Sequence, residues 1–387
     1  MTTTQLEVPP QRPVRRGKLK RIIKWSAVTI FAVLTVWMFI AYWTSTNDCG
    51  RPIPPGAQAI KAIKACDYGG PDALQLADIE KPVPNDNQIL VKVRAASVNP
   101  VDGHPLRGGL LRLSGGLRKP KETRFGTDYA GIVEAVGKNV SQFKPGDEVF
   151  GARTGAMAEY LCTLADRGGV AVKPANISFE QAGGVAVAGL TALQGLRDKG
   201  QVRPGQKVLI NGASGGVGTF AVQIAKALGA EVTGVCSARN VEMVRSLGAD
   251  HVIDYTKENF TNGAQRYDVI YDLVGNHSFS QRRRVLNPKG ICVLAGVGGA
   301  GRNDGQMGSR IVRLFWSAFA SKFADQKFIF YIAQVNKSDI NVLREMMESG
   351  KVKPVIDREY TGLSKAGEAL RYLEQGHARG KVIVRFE

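Results

Sequence analysis

A short stretch, KVLINGASGGVG at Lys207–Gly218, places the tightest constraint on how this 387-residue chain can fold. Its apolar run predicts a buried parallel strand, a glycine-dense turn follows, and FAVQIAKALG has the apolar spacing of a helix. In this order the three form the first half of a dinucleotide-binding unit, where a pyrophosphate lies against backbone N–H groups at a helix N-terminus. The turn residues we predict to hold the dinucleotide are Ala213, Ser214, Gly215, Gly216, Val217 and Gly218.

Strand and helix patterns alternate from Lys207 onward, with strand candidates at KVLIN, EVTGVC, HVID, YDVIYDLVG and ICVLAGV. Such alternation predicts a parallel sheet with helices on both faces. Residues 59–175 instead hold short strands between glycine-rich turns, which are typical of a β-rich barrel or sandwich. We predict an α/β fold with a β-rich domain at 59–175, a doubly wound parallel-sheet domain at 176–315, and a return to the first domain at 316–387.

The N-terminus has the composition of a membrane anchor. Residues 1–24 form a basic tail, and the apolar run WSAVTIFAVLTVWMFIAYW, Trp25–Trp43, follows it. A helix of about twenty residues crosses a hydrocarbon core of roughly 30 Å, and tryptophan and tyrosine suit its interfaces. We predict a transmembrane helix at 25–46 and a Pro/Gly-rich linker at 47–58. A cleaved signal peptide and a buried core helix are the alternatives, although no A-x-A site follows the run.

The positive charge before this helix predicts on which side of the membrane the rest of the chain lies. Residues 1–24 contain seven Lys or Arg and one acidic residue. The positive-inside rule therefore predicts a cytoplasmic tail and places everything after Trp43 across the membrane. Reduced nicotinamide cofactors, however, are found mainly in the cytosol or the mitochondrial matrix. The sequence therefore leaves open on which side of the membrane the residues after Trp43 lie.

The net charge of +18 favours anionic partners. The basic tail supplies +6 of it, and the remaining +12 is spread along the chain without a dense block. Phosphorylated cofactors and anionic lipid suit such a surface. The chain lacks the interleaved aromatic and basic residues of an RNA-recognition sheet, which argues against a nucleic-acid partner.

Five cysteines are scattered along the chain without CxxC pairs, and an odd number leaves one over in any pairing scheme. This pattern predicts neither a disulfide framework nor a four-cysteine zinc lobe. Cys236 and Cys292 fall in predicted buried strands, where we expect small apolar fillers. The other three are Cys49, Cys66 and Cys162.

Six blocks of sequence give the chain a family resemblance. They are ASVNPVD at 96–102, GTDYAGIVEAVG at 126–137, FKPGDEVFG at 143–151, AGLTALQGL at 188–196, NGASGGVG at 211–218 and LGADHVIDY at 247–255. In this order they resemble the medium-chain dehydrogenase/reductase superfamily, and within it the zinc-independent quinone oxidoreductases related to zeta-crystallin. The resemblance implies a GroES-like catalytic domain interrupted by a Rossmann domain, an active site between them, and a homodimer in which FIFYIA, Phe328–Ala333, is an edge strand that pairs two subunits.

Zinc-dependent members of this superfamily bind their catalytic metal through a Cys in the block that here reads ASVNPVD and a His–Glu pair in the block that here reads GTDYAG. This chain has Ser97, Val98 and Asn99 near the first position and Thr127 and Asp128 at the second. We therefore predict no metal site, and alcohol dehydrogenase-type activity is only an alternative. A metal-free reductase has to polarise its acceptor with hydrogen-bond donors.

The end of the second strand of the dinucleotide unit predicts the choice of cofactor. An acid there would hold the ribose 2′-hydroxyl of NAD, whereas a cation or hydroxyl accommodates the phosphate of NADP. Here Ser237 and Arg239 occupy the position, and the first acid is Glu242. We predict NADPH, with a two-donor fork from Arg239 onto the phosphate. The resemblance adds Tyr255 to this pocket, with a half-buried tyrosine at a strand end as the alternative.

The resemblance also points to residues at the reacting end. Asn99 and Asp102 occupy the family's active-site block, and Thr191 lies where the family contacts the nicotinamide. We expect the Asn99 amide to donate to a carbonyl oxygen and Asp102 to orient its neighbours, with turn capping around Pro100 as the alternative. His104, in a glycine-rich loop where some relatives have a tyrosine, is a candidate proton relay or an exposed residue.

Together these features predict a membrane-anchored, zinc-independent oxidoreductase that transfers hydride from NADPH to a quinone or an α,β-unsaturated carbonyl. The alternative of another class is a non-catalytic NADPH-binding membrane adaptor. The bulky apolar run RIVRLFWSAFASKF, Arg310–Phe323, is either a lid, a second membrane contact, or packing between domains or subunits.

Overall fold

The computed structural model describes residues 16–109, 112–295 and 325–386. Most of the basic tail and the run Arg310–Phe323 lie outside the described residues, so the three interpretations of that run stay predictions.

The described chain opens with a long helix, α1 (Arg16–Trp43). Its stretch Lys24–Trp43 is long and apolar enough to cross a membrane by length and composition, and none of it is buried in the protein. Two hydroxyls inside it are satisfied locally, since Thr29 Oγ1 donates to the Trp25 carbonyl at 2.9 Å and Thr35 Oγ1 to the Phe31 carbonyl at 2.8 Å. The predicted helix is therefore confirmed as a helix.

The first domain is β-rich, as predicted. A ribbon pairs β1 (Ala59–Ala65) with β2 (Leu74–Glu80) in antiparallel register. The other strands are β3 (Gln88–Val98), β4 (Asp128–Val136), β5 (Glu148–Ala152), β6 (Tyr160–Leu164), β7 (Gly169–Val172), β14 (Ile356–Thr361) and β15 (Lys381–Arg385). These form a seven-stranded sheet in the order β14-β15-β3-β4-β5-β7, with β6 on β3. The last two strands in sequence therefore complete the sheet that the first ones begin.

The second domain is a parallel sheet in the order β10-β9-β8-β11-β12-β13. Its strands are β8 (Lys207–Asn211), β9 (Glu231–Cys236), β10 (His251–Asp254), β11 (Tyr267–Asp272), β12 (Leu286–Leu294) and β13 (Lys327–Phe330). All five predicted strands are confirmed, and the order reverses beside β8, as in a doubly wound dinucleotide-binding sheet. Because β13 pairs with β12, the return to the first sheet starts at β14, later than the predicted boundary at 316. Subunit pairing across the edge strand β13 stays a prediction.

Helices cover both sheets. Their bounds are α2 (Pro100–Arg107), α3 (Arg112–Gly115), α4 (Phe179–Ala182), α5 (Ala186–Leu193), α6 (Gly216–Ala227), α7 (Val241–Ser246), α8 (Phe279–Val285), α9 (Lys337–Glu348) and α10 (Ala366–Glu374). The apolar faces of α5, α6 and α9 share one core with β8, while α10 contributes to the core of the first domain. The helix-rich segment predicted at 177–196 corresponds to α4 and α5.

The cysteines differ from the prediction in one respect. Cys49 and Cys66 form a disulfide across a sequence separation of 17 residues, with their Cα atoms 5.7 Å apart. The odd count and irregular spacing hid this pair, since only the fold of the linker back onto the end of β1 brings the two together. Cys236 and Cys292 are free and buried, as predicted.

Candidate active site

A buried polar cluster lies where three strands of the first sheet meet. We use this name for Ser97, Asn99, Asp128 and Lys381, none of which exposes more than 4% of its surface. Antiparallel register brings them together, because Ser97 in β3 pairs with Asp128 in β4, and β15, which begins at Lys381, runs beside β3. Residues far apart in sequence thus share one site.

Lys381 and Asp128 supply the two charges of this cluster. Lys381 Nζ lies 2.6 Å from Asn99 Oδ1 and 3.2 Å from Asp128 Oδ2. The same carboxylate oxygen accepts from Asn99 Nδ2 at 3.0 Å and from Ser97 Oγ at 2.8 Å. Both ends of the Asn99 amide are therefore engaged, so the cluster orients the group that we expected to donate to an acceptor carbonyl.

The cluster also reaches the helical segment that leads into the second domain. Asp128 Oδ1 accepts from the backbone N–H of Val187 at 2.7 Å, near the start of α5. One turn later Thr191 donates its hydroxyl to the Val187 carbonyl at 2.6 Å, and the Thr191 carbonyl accepts from Tyr271 Oη at 2.8 Å. The residue predicted to contact the nicotinamide is thus held on a helix that the Asp128 carboxylate positions.

Asp102 lies beside the cluster at the start of α2. Pro100 fills the first turn of this helix, where proline is favoured, and Asp102 Oδ2 accepts from the Asn99 backbone N–H at 2.7 Å. Thr127 Oγ1 donates to Asp102 Oδ1 at 2.6 Å. Asp102 thus caps the helix and holds Thr127, which fits both the orienting role and the capping alternative.

The Asp102 carboxyl makes stability depend on pH. Burial, with a smaller contribution from the Asp128 charge, raises its pKa to about 6, against hydrogen bonds from Thr127 and Asn99. A carboxyl whose pKa is higher in the folded than in the unfolded state destabilises the fold as pH rises between these values, here from about 4 to about 6. At roughly 1.4 kcal/mol per pKa unit, the free energy of unfolding should fall by about 3 kcal/mol across this range and change no further above it.

We therefore expect Asp102→Asn to remove that loss. Urea unfolding of the full chain at pH 4.5 and pH 7, compared between the variant and the parent protein, isolates the contribution of Asp102. Asp86→Asn, at an exposed carboxylate paired with Lys138, is the matched control. An unchanged pH dependence in Asp102→Asn would contradict the prediction.

His104 lies on α2, followed within the helix by Pro105, and is partly buried. The predicted glycine-rich loop starts only at Gly108, so the expectation that His104 is a loop residue was wrong. His104 follows Asn99, the N-cap of this helix, by five residues, so the two do not share a helix face. Its role as a proton relay stays a prediction.

The dinucleotide turn has the geometry that its glycines predict. Gly212 has a φ of +93°, Gly215 caps α6, and the helix starts at Gly216. A Cβ on Gly218 would lie 2.1 Å from the Gly212 carbonyl oxygen, whereas a Cβ on Gly215 would meet nothing closer than 3.6 Å. Gly212 thus makes the tight turn, Gly218 allows close packing, and Gly215 leaves backbone open to a pyrophosphate. Ala213, at the first motif position, is fully buried.

This turn meets the buried polar cluster. A Cβ on Gly216 would come within 3.2 Å of Lys381 Cδ and 3.4 Å of the Gly380 carbonyl oxygen. The stem of Lys381 therefore runs along the turn while its ammonium enters the cluster. The structure brings together the predicted dinucleotide turn and the predicted reacting residue Asn99 through a lysine that we had not predicted.

The predicted phosphate corner is built around another residue missed from the sequence. Asn240 Nδ2 donates to Ser214 Oγ at 3.0 Å and to Ser237 Oγ at 3.1 Å, and its Oδ1 is buried with no hydrogen-bond partner among the described residues. A nucleotide hydroxyl could satisfy that acceptor. Arg239 is exposed and donates to the His377 carbonyl at 2.7 Å. This corner therefore fits a dinucleotide that carries an extra phosphate.

Tyr255 follows β10 and is 58% exposed. It therefore lies at a strand end, as the alternative had it, but is more exposed than a half-buried residue. Its predicted contact with the phosphate stays a prediction.

The residues at the family's zinc position do not fit a zinc ion. The oxygens of Ser97 and Asp128 and the Asn99 amide replace the usual nitrogen and sulfur ligands, and the Lys381 ammonium already lies against the carboxylate. Within 16–109, 112–295 and 325–386, no group of three or more His, Cys, Asp or Glu side chains could hold a metal ion.

Known proteins share both domains. Residues 85–173 match the alcohol dehydrogenase GroES-like domain family and residues 247–384 match the zinc-binding dehydrogenase family. An NADPH-dependent alkenal/one oxidoreductase of Arabidopsis thaliana is 34% identical, over 84% of this chain and 79% of its own length. A human quinone oxidoreductase is 33% identical, over 85% of this chain and 98% of its own length.

A solved structure is similar over the same region. The Escherichia coli quinone oxidoreductase complexed with NADPH superposes with a TM-score of 0.69 at 28% identity, covering 84% of this chain and 99% of its own. On this similarity, and on the two sheets described above, the chain belongs to the medium-chain dehydrogenase/reductase superfamily and, within it, to the zinc-independent quinone oxidoreductase family.

Proposed function

We propose that this protein is a membrane-anchored oxidoreductase that uses NADPH to reduce a quinone or an α,β-unsaturated carbonyl. The observation that carries the proposal is the contact of the dinucleotide turn at Gly216 with Lys381 of the buried polar cluster. The relatives named above, a quinone oxidoreductase and an NADPH-dependent alkenal/one oxidoreductase, support it. A cofactor on the turn would present its reactive ring towards the side that carries Asn99 and Thr191.

NADPH supplies the hydride. The pyrophosphate would lie on the backbone N–H groups at the start of α6, and Ser237, Arg239 and Asn240 would hold the 2′-phosphate and the adjacent ribose. Lys381 and Asp128 fix the Asn99 amide, whose Nδ2 donates to Asp128 Oδ2 at 3.0 Å and to Ser97 Oγ at 3.5 Å. We assign the longer of these two donors to the acceptor oxygen when substrate is bound. A proton reaches the product from solvent or through His104.

The membrane anchor is part of the proposal. Helix α1 exposes apolar side chains, including Phe31 at 72% and Phe39 at 63%, and no part of Lys24–Trp43 is buried inside the protein. Bilayer is the solvent that such a surface requires. A lipophilic quinone or lipid-derived enone would be concentrated beside a reductase held at this surface.

An NADPH oxidation screen on the full chain in nanodiscs tests this function. Quinones, enones and alcohols are offered with and without added zinc, and absorbance at 340 nm is followed. We expect turnover with quinones or enones, little with alcohols, and no stimulation by zinc. Binding of NADPH without turnover of any quinone or enone would instead support the non-catalytic adaptor.

We expect Arg239→Ala to remove most of the preference for NADPH over NADH. Losing charge-assisted hydrogen bonds of about 1.5–3 kcal/mol should raise the NADPH dissociation constant by roughly tenfold to a hundredfold, with NADH affinity nearly unchanged. Isothermal titration with both cofactors measures this. Arg245→Ala removes an exposed arginine paired with Glu242 on the neighbouring helix α7 and is the matched control. An unchanged preference in Arg239→Ala would refute the phosphate assignment.

A further inference from the structure

The segment after the membrane helix is fastened to the body of the protein. Ser45 Oγ accepts from the backbone N–H groups of Arg118 and Lys119 at 3.4 and 3.3 Å, and Asn47 Nδ2 donates to the Cys66 carbonyl at 2.8 Å. Asp48 binds the largely buried Lys64 ammonium at 3.1 Å. The linker therefore gives the helix a defined position on the body.

The same attachments place one basic segment beside the end of the helix. The Arg118 guanidinium lies 5.6 Å from the centre of the Trp43 ring. With α1 anchored in the bilayer as proposed, the tryptophan at its end would lie at headgroup level, and Arg118 would lie there as well. We call 112–121 the basic segment. Its cations are Arg112, Arg118, Lys119 and Lys121, it contains no acidic residue, and Arg112, Arg118 and Lys121 are exposed.

The basic segment is connected in sequence to two parts of the candidate active site. It follows α2, which begins next to Asn99 and contains Asp102, and it leads into Thr127 and Asp128. Tyr68 contacts the segment in two ways. Its hydroxyl donates to the Gly116 carbonyl, and its ring stacks against Arg112, whose guanidinium lies 4.4 Å from the ring centre. A surface bound by this segment would therefore be joined through α2 to Asn99 and Asp102, the residues that we assign to the acceptor side of the site.

We propose that the basic segment is an anionic-lipid-binding surface that seats the acceptor side of the site on the bilayer, so that the substrates are membrane-dissolved quinones or enones. Clustered Lys and Arg beside a membrane helix attract anionic headgroups. The lipid contact rests on the anchoring of α1, and the substrate class rests on the proposed function.

Spin labels on the full chain in anionic nanodiscs test the lipid contact without any activity measurement. One label is placed through Lys121→Cys and a control label through Lys257→Cys, an exposed lysine of the second domain, both in a Cys162→Ser background. We expect the label at 121 to respond to oxygen, which partitions into lipid, more than to a water-soluble nickel complex, with the reverse at 257. Equal profiles at the two positions would overturn the proposal.

Charge removal tests the substrate class. In Arg112→Gln/Arg118→Gln/Lys121→Gln, the ratio of kcat/KM for a long-tailed quinone to that for a short-tailed quinone should fall about tenfold or more in anionic nanodiscs. Lys257→Gln/Lys351→Gln/Lys353→Gln removes as many exposed charges elsewhere and should keep the ratio. An equal ratio in both variants would overturn the substrate class. If neither quinone is reduced by the parent protein, the proposed function fails while the spin-label result still decides the lipid contact.

The Cys49–Cys66 disulfide carries a second inference, about the side of the membrane. Disulfides persist in oxidising compartments and are rare in the cytosol. The seven cations before Trp25 independently predict a cytoplasmic tail. Both observations point the same way, and we infer that the chain after Trp43 lies on the oxidising, non-cytoplasmic side. On that side the cofactor has to be present with the protein, because its charges prevent it from crossing a bilayer.

Thiol labelling of the full chain in intact bacterial spheroplasts tests this assignment. In a Cys162→Ser background, a membrane-impermeant maleimide should label the chain only after an impermeant reductant opens the disulfide, with no need for lysis. Cys49→Ser/Cys66→Ser is the control and should stay unlabelled. Labelling that needs no reductant, or that appears only after lysis, would overturn the inference. NADPH oxidation by sealed right-side-out vesicles is a second readout, and it depends on the proposed function.

Discussion

Lys381→Met is expected to lower the free energy of unfolding by about 3–5 kcal/mol, because it leaves a buried carboxylate without its cation. Asp128 is fully buried, and Lys381 Nζ contacts both its Oδ2 and Asn99 Oδ1. Methionine nearly matches the apolar stem of lysine, so the loss reports the charge rather than a cavity. Urea unfolding of the full chain, followed by circular dichroism, measures it.

A second substitution separates the ion pair from general disruption. Asp128→Asn keeps an oxygen for the Val187 N–H and removes the charge. The free energy of unfolding lost in Lys381→Met/Asp128→Asn should therefore be smaller, by about 1–3 kcal/mol, than the sum of the losses in the two single variants. Lys61→Met, which breaks the exposed pair with Asp78, should change stability by less than about 1 kcal/mol. Strict additivity at Lys381 and Asp128 would show that the two residues are not coupled.

Local patterns predicted the fold well. Five of the six strands of the parallel sheet could be recognised because parallel strands that helices cover on both faces appear as short apolar runs between helical patterns. The resemblance also led us to expect an edge strand at Phe328–Ala333, and β13 (Lys327–Phe330) is at the edge of its sheet. The sheet that it joins could not be predicted, because the pattern of so short a strand does not indicate its partner. Only its parallel pairing with β12 assigns it to the second sheet.

Residues of the site differed in how far the sequence could reveal them. The turn from Ala213 to Gly218 is local, and its chemistry follows from spacing. Lys381 is 253 residues from Asp128, and only the register of β15 on β3 and of β3 on β4 brings them together. One signal was available, since a lysine that opens the apolar strand KVIVR has to find a buried partner. Asn240 carried no comparable signal.

Gly215→Ala is expected to weaken NADPH binding by at least about tenfold, or 1.4 kcal/mol, while the protein stays folded. Gly215 has a φ of −80°, which any residue adopts, and the added Cβ would meet nothing closer than the Gly212 carbonyl oxygen at 3.6 Å. The methyl group would instead project from the cap of α6 into the space that a pyrophosphate needs. Isothermal titration gives the affinity, and thermal unfolding without cofactor confirms the fold.

Gly218→Ala places the same methyl group one turn along the same helix. In contrast to Gly215→Ala, we expect it to lower the stability of the fold rather than to obstruct the cofactor directly. Its Cβ would lie 2.1 Å from the Gly212 carbonyl oxygen and 2.7 Å from the Ala213 carbonyl carbon, so backbone has to move, and overpacking of this kind costs about 1–3 kcal/mol or more. We expect lower stability without cofactor, with any loss of affinity following from it. If Gly215→Ala destabilises the protein as much as Gly218→Ala does, the division of roles fails: Gly215 would then serve packing, and the open backbone at the start of α6 would not be the pyrophosphate site.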